Sequence, residues 1–202
     1  GGDDFYSASK ASAELVINSF YKSFIKDKKN FLRIATARAG NVVGGGDWSE
    51  NRLIPDCVKC WSRNKKVNVR NPNATRPWQH VLEALSGYLH LAQKLDSDKK
   101  INGQSFNFSN NRIKNFTVLK FIMGIKKYWK KASWKITKQT SFKESTLLQL
   151  NSTKAQKILN WNNKLRLFEP IKLVGEWYRT YYSTKKKIIL TQDQILMYMN
   201  KK

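Results

Sequence analysis

The sequence predicts an α/β fold built on a parallel sheet, and three observations carry that reading. A helical pattern leads into a strand and then a glycine-rich loop over residues 6–48. Helix and strand patterns go on alternating to the end of the chain. Neither an internal repeat nor a low-complexity linker interrupts them. In such folds ligands sit beyond the carboxyl ends of the strands.

The elements follow in order. Asp3 and Asp4 offer side-chain acceptors to the free amides of a first helix, predicted from Tyr6 to about Ile25. Its apolar positions, Ala11, Leu15, Val16, Phe20 and Phe24, recur at helical spacing. A strand is predicted from Phe31 to Arg38, and a glycine-rich loop from Gly40 to Trp48. Next come a helix over Leu53 to Ser62, a short strand over Val67 to Arg70, and a turn-rich loop from Asn71 to Trp78. The spacing of Leu82, Leu85, Leu89 and Ala92 predicts a helix from near Val81 to Leu95. Ser105 to Ser109 reads as a strand, Val118 to about Trp129 as a helix, and Trp134 to Thr137 as an edge strand. Further helices are expected over Ser152 to Leu159, Glu169 to Tyr182 and Gln192 to Met199.

Composition narrows the function. With 41% hydrophobic and 12% aromatic residues in 202, a packed core is expected rather than global disorder. No apolar run of about 18 residues suits a membrane span, and no secretion signal follows Gly1. The expectation is a soluble cytoplasmic protein with no membrane partner. Cys57 and Cys60 form a C-x-x-C, but no second pair or nearby His completes a zinc site. They read as thiols of a packed helix, and no metal is expected. The net charge of +24 would attract nucleic acid, and residues 126–131 mix lysines with Tyr128 and Trp129. That charge is mostly Lys spread over many elements, with no helix-turn-helix, zinc-finger or RNP signature. Nucleic acid is therefore not the expected partner.

Tyr6 and Lys10 carry the first chemistry. Four residues apart on a helix, they share a face. An ammonium beside a phenol favours the phenolate, a base able to take a hydroxyl proton as hydride leaves the same carbon. A Tyr-x-x-x-Lys pair alone is a weak signal, since surface helices carry it by chance.

Its surroundings make it specific. Tyr6 to Lys10, then Ala11-Ser12-Ala13-Glu14, then Arg38-Ala39-Gly40-Asn41-Val42-Val43-Gly44 is similar to the extended short-chain dehydrogenases that act on nucleotide sugars. Within that group the chain resembles the CDP-glucose 4,6-dehydratases. The resemblance rests on Gly44-Gly45-Gly46-Asp47-Trp48, Arg52-Leu53-Ile54-Pro55-Asp56, Arg70-Asn71-Pro72 and Arg76-Pro77-Trp78-Gln79-His80-Val81. Later stretches agree, among them Phe106-Asn107-Phe108, Leu150 to Ala155, Leu159-Asn160-Trp161, Glu176-Trp177-Tyr178 and Thr191 to Ile195.

The resemblance implies the distal part of a Rossmann-type parallel sheet with an interleaved smaller α/β substrate-binding domain. Residues 1–48 and 79–112 would belong to the Rossmann-type part, and 49–78 and 113–202 to the substrate domain. It implies NAD as cofactor and conversion of CDP-glucose to CDP-4-keto-6-deoxyglucose in deoxysugar biosynthesis, feeding lipopolysaccharide. Tyr6 would be the base at the sugar 4-hydroxyl. Lys10 would steady the phenolate and hold the nicotinamide ribose, with Asn41 beside cofactor and sugar. Arg52 and Arg76 would bind the sugar nucleotide, Arg76 at its pyrophosphate, where a planar guanidinium matches phosphate oxygens. Asn107 would lie near the nucleotide cleft. His80 reads as a satisfied, partly buried imidazole. Trp48, Trp78 and Trp161 read as packing residues, Trp48 being also a candidate for lining the substrate pocket. Relatives pair through a bundle that includes the Tyr-x-x-x-Lys helix, so a homodimer is expected of the full-length protein.

The G-x-x-G-x-x-G turn that holds a dinucleotide pyrophosphate does not occur in these 202 residues. Neither do acid–base residues ahead of Tyr6 that would eliminate water. The chain therefore reads as part of a longer enzyme, inactive alone, and loss of the early strands would leave an uncovered apolar face on its first strand and helix. Two other readings stay open. One is a related epimerase or reductase. The other is a non-catalytic basic remnant that binds an acidic partner.

Overall fold

The computed structural model describes residues 4–27, 31–110, 116–137, 148–184 and 187–201. The first helix, α1, covers Phe5–Phe24 and is capped by Asp4, whose carboxylate accepts from the Ser7 amide at 2.9 Å. The residue after its end, Ile25, is buried. No side chain of α1 itself is buried. Leu15, Val16, Phe20 and Phe24 point outward, and Phe5 is 98% exposed. The helical spacing was sound, and the face it marks is uncovered.

Strand β1, Thr36–Ala39, pairs in parallel with β5, Ser105–Phe108, from Thr36↔Ser105 to Ala39↔Phe108. Alternation divides the ribbon into two unlike faces. Thr36, Arg38, Ser105 and Asn107 form a polar face toward Glu14 of α1. Phe106 and Phe108 on the other face pack with Leu91, Ala155, Leu159 and Trp161. These come from α3 (Val81–Ser97), from α5 (Thr153–Leu159) and from the loop that follows α5. The strand predicted from Phe31 starts five residues later. Its partner begins only at Ser105, after a turn at Gly103 with φ of 77°. Residues 31–35 thus have no ladder partner among the described residues, although Gly103 N donates to the Ile34 carbonyl at 2.7 Å.

Two segments predicted as loop contain strands. β2 (Asn41–Val43) and β4 (Trp78–His80) pair in parallel, Asn41↔Trp78 through Val43↔His80. Glycine-rich and turn-rich surroundings hide three-residue strands from a periodicity test. The glycine has a purpose here: a Cβ on Gly40 would lie 2.4 Å from the Pro77 carbonyl. A third parallel ribbon joins β3 (Val67–Val69) to β6 (Trp134–Ile136), close to the predicted strands.

The larger core joins these last two ribbons to three helices, α2 (Leu53–Ser62), α4 (Val118–Lys126) and α6 (Glu169–Ser183). Ile54, Cys57, Val58 and Trp61 give α2 an i, i+3, i+4, i+7 stripe. Cys57 lies within it, and burial pushes its thiol well above the usual range. The helix expected to reach Trp129 ends at Lys126, where tighter turns take over: Tyr128 N donates to Ile125 O and Trp129 N to Lys126 O, both at 2.9 Å. The last helix, α7 (Lys187–Asn200), is longer than the predicted Gln192 to Met199. Gln194 Nε2 donates to the Leu173 carbonyl at 2.9 Å and ties α7 to α6. Among the described residues no helix is long and apolar enough to cross a membrane.

Candidate active site

The direction of α1 fixes where Tyr6 stands. Near the end of the helix, the Tyr21 ring lies against Gly103, ahead of β5; a Cβ there would fall 2.2 Å from the ring. In its middle, Glu14 reaches Thr36, Arg38 and Ser105. The helix therefore runs antiparallel to β1 and β5. Tyr6, eight residues earlier, lies about 12 Å further along the axis, toward the carboxyl ends of the strands. It is exposed, and Lys10 Nζ sits 5.4 Å from the centre of its ring. The pair thus shares a face as the spacing requires, with the ammonium against the aromatic ring.

Asn41 follows the end of β1, and its amide donates to the Pro77 carbonyl at 3.1 Å. That bond and the Asn41↔Trp78 pairing bring Asn41 beside the segment that carries Arg76. Arg76 is half-buried; its amide donates to Phe116 O at 3.4 Å and its Nη1 to Thr75 O at 2.9 Å. A bridge between Thr75 and Thr117 holds the same segment. Gln79 Nε2 donates to Phe108 O at 2.8 Å, tying β4 to the carboxyl end of β5. Asn41, Arg76 and the end of β5 are so drawn to one edge of the fold.

Asn107 is engaged on that edge. Its Oδ1 accepts from Arg38 Nη1 at 3.1 Å and its Nδ2 donates to Asn151 O at 3.3 Å. Arg52 stands apart as the N-cap residue of α2, 3.9 Å from the Asp47 carboxylate and largely exposed. Trp48 packs edge-on and tilted against Trp177, Tyr178, Tyr181 and Tyr182. Trp78 and Trp161 are core residues, as expected.

His80 is more deeply buried than the sequence suggested, at 2% exposure. Its Nδ1 accepts from the Leu82 amide at 3.3 Å and caps α3. Its Nε2 has no hydrogen-bond partner among the described residues, so the imidazole is only half satisfied. Burial lowers its pKa to about 4, which keeps it neutral. Glu83, three residues on, is buried too, and desolvation raises its pKa. It accepts from the Leu165 amide at 2.6 Å and the Tyr198 hydroxyl at 2.9 Å, latching α7 onto α3.

Sequence reasoning missed the cluster around Glu14. Arg38 grips that carboxylate with Nε at 2.7 Å and Nη2 at 2.8 Å, while Thr36 and Ser105 each donate a hydroxyl at 3.2 Å. The Arg38 hydrogen bonds hold Glu14 below the usual carboxylate range. Four polar residues alternating on one face of a strand pair were the available signal. Two cavities lie elsewhere, one of about 600 Å³ between α6 and α7 and one of about 270 Å³ beside Trp129 and Arg179. None of the sequence-predicted site residues lines either.

The chain thus combines parallel strand pairs with a Tyr-x-x-x-Lys pair toward the carboxyl ends of β1 and β5. Solved structures share the fold. The dTDP-glucose 4,6-dehydratase of Bacillus anthracis in complex with NAD superposes with a TM-score of 0.72 at 21% identity, over 91% of this chain and 54% of that one. The UDP-glucuronic acid 4-epimerase of Bacillus cereus gives 0.72 at 18% identity, over 88% and 53%. In sequence the chain is 35% identical over 205 residues to the CDP-glucose 4,6-dehydratase of Salmonella typhimurium, covering 99% of this chain and 57% of that protein. A Dictyostelium discoideum dTDP-D-glucose 4,6-dehydratase is 31% identical over 52% of this chain and 23% of its own length. The chain matches no protein-family model. In sequence the chain is thus similar along nearly its whole length to a CDP-glucose 4,6-dehydratase, and its α/β fold is that of solved NAD-bound nucleotide-sugar enzymes. It spans little more than half the length of that relative.

Proposed function

We propose that this chain is the substrate-facing part of a nucleotide-sugar 4,6-dehydratase that converts CDP-glucose to CDP-4-keto-6-deoxyglucose. The observation that carries the reading is the 35% identity along 99% of the chain to a CDP-glucose 4,6-dehydratase. The stance of Tyr6 and Lys10 beyond the strand ends supports it. Residues 1–48 and 79–112 would serve the cofactor, and 49–78 and 113–202 the sugar nucleotide.

Tyr6, Lys10 and Asn41 suit a dinucleotide in chemistry, because an exposed phenol and ammonium on α1 and an amide just past the end of β1 match a nicotinamide ribose and a sugar hydroxyl. NAD, when bound, would supply the hydride acceptor. Tyr6 takes the proton of the sugar 4-hydroxyl, and Lys10 stabilises the phenolate before that transfer. Arg76 pairs with the pyrophosphate and Arg52 with the sugar nucleotide at the mouth of the site. Asn41 orients the sugar, and Asn107 orders the nucleotide side of the cleft. The 202 residues alone bind NAD weakly and turn nothing over; the whole enzyme is a cytoplasmic homodimer whose product enters deoxysugar and lipopolysaccharide synthesis. The test is Tyr6→Phe in the full-length protein: turnover falls by orders of magnitude with substrate binding nearly intact. Unchanged turnover would remove Tyr6 from the mechanism.

A further inference from the structure

Helix α1 carries the proposed base at one end, and among the described residues few directional contacts fix it to the sheet. None of its side chains is fully buried; Leu15, Val16, Phe20 and Phe24 face outward, while Ala11, Glu14, Ile17 and Tyr21 are half-buried. Two contacts to the sheet are specific in direction. One is at its end, where Tyr21 lies against Gly103 and Ile25 enters the interior. The other is Glu14, which gathers the Arg38 fork and the Thr36 and Ser105 hydroxyls. Arg38 is itself braced, since Nη1 donates to Asn107 at 3.1 Å, and Asn107 donates to Asn151 at the start of α5. The Asn151 side chain in turn accepts from Thr153 N at 2.8 Å. A single run of hydrogen bonds therefore joins the middle of α1 to β1, β5 and α5.

The lever arm shows what this clamp does. Tyr6 is 19 residues from Ile25, about 28 Å along the helix. With the far end as sole pivot, a tilt of about 2° would move the phenol by about 1 Å, a displacement that can cost on the order of 100-fold in rate. Glu14 shortens the free arm to about 12 Å and fixes its direction.

We propose that Glu14, acting through Arg38, is the positioning residue that sets Tyr6 and Lys10 at the carboxyl ends of the strands. The inference rests on the dehydratase reading for its kinetic half only. Charge-assisted, bidentate geometry suits the role, since an arginine fork fixes direction as well as distance.

The test is amide hydrogen exchange on the 202-residue chain bearing Glu14→Gln, Arg38→Gln or both. Arg38→Lys is a milder variant that keeps the charge and loses the fork. Each glutamine variant should speed exchange in the first half of α1 roughly tenfold, with β5 and α3 unchanged. The double variant should be no worse than the worse single, because the two residues act as one unit. In the full-length enzyme Glu14→Gln should lower kcat about 10- to 100-fold with KM held within about twofold. Unchanged exchange over α1, additive singles, or a raised KM at constant kcat would each overturn the proposal. If Glu14→Gln does not fold, Arg38→Lys decides by the same readouts. An inactive full-length parent would sink the dehydratase reading alone, because exchange still reports whether the clamp holds the helix.

Discussion

Replacing His80 by asparagine should flatten the acid side of the stability profile. The imidazole is 2% exposed and its pKa is held at about 4, while in the unfolded chain it returns to about 6.5. Below pH 6.5 the unfolded state therefore binds a proton that the folded state refuses. The sign follows: the stability tied to neutral His80 is full above about pH 6.5 and drains away as pH falls toward 4. The difference of about 2.5 pH units corresponds to about 3 kcal/mol in total, of which about 2 kcal/mol is lost between pH 7 and pH 4.5. Asparagine keeps a side-chain acceptor for the α3 amides, so the cap survives while the titration goes. The assay is urea denaturation of both proteins at several pH values. Glu83, three residues away, works in the opposite direction because burial raises its pKa, but the wild-type-minus-variant difference removes its share. Parallel pH profiles for the two proteins would refute the reasoning.

Other perturbations test the packing around the site. Gly87→Ala places a Cβ 2.4 Å from the Phe108 ring, so urea melts should show a net loss of about 1–2 kcal/mol despite the better helix propensity of alanine; equal stability would mean that β5 can shift. Tyr198→Phe deprives buried Glu83 and Ser86 of a hydroxyl partner, at a cost of about 1–3 kcal/mol. It should make α7 the first segment cut in limited proteolysis, and an unaltered cleavage order would deny the latch.

Much of this was legible before the structure. Every predicted helix formed, because capping and 3.6-residue spacing are local signals, and Asp4 caps α1 as its residue type promised. The Tyr6–Lys10 face followed from the same geometry. What escaped depends on contacts distant in the chain. β2 and β4 are only three residues each, and pairing across 37 positions, with Gly40 under Pro77, makes them strands. The strand expected from Phe31 was shortened by the limit of its partner, which no local pattern reveals. The α1 residues Leu15, Val16 and Phe20 followed the helical rule, yet spacing tells which residues share a face and not what covers it. Glu14 and Arg38 both stood in recognised motifs, but their pairing joins residues 24 apart and appears only once α1 crosses β1.

The most direct measurement is proton NMR of CDP-glucose incubated with the full-length protein and NAD. The account expects a new C6 methyl signal with loss of the C4 proton, the mark of a 4-keto-6-deoxy sugar. A product with an inverted C4 and an intact C6 hydroxymethyl group, or no product at all, would contradict it.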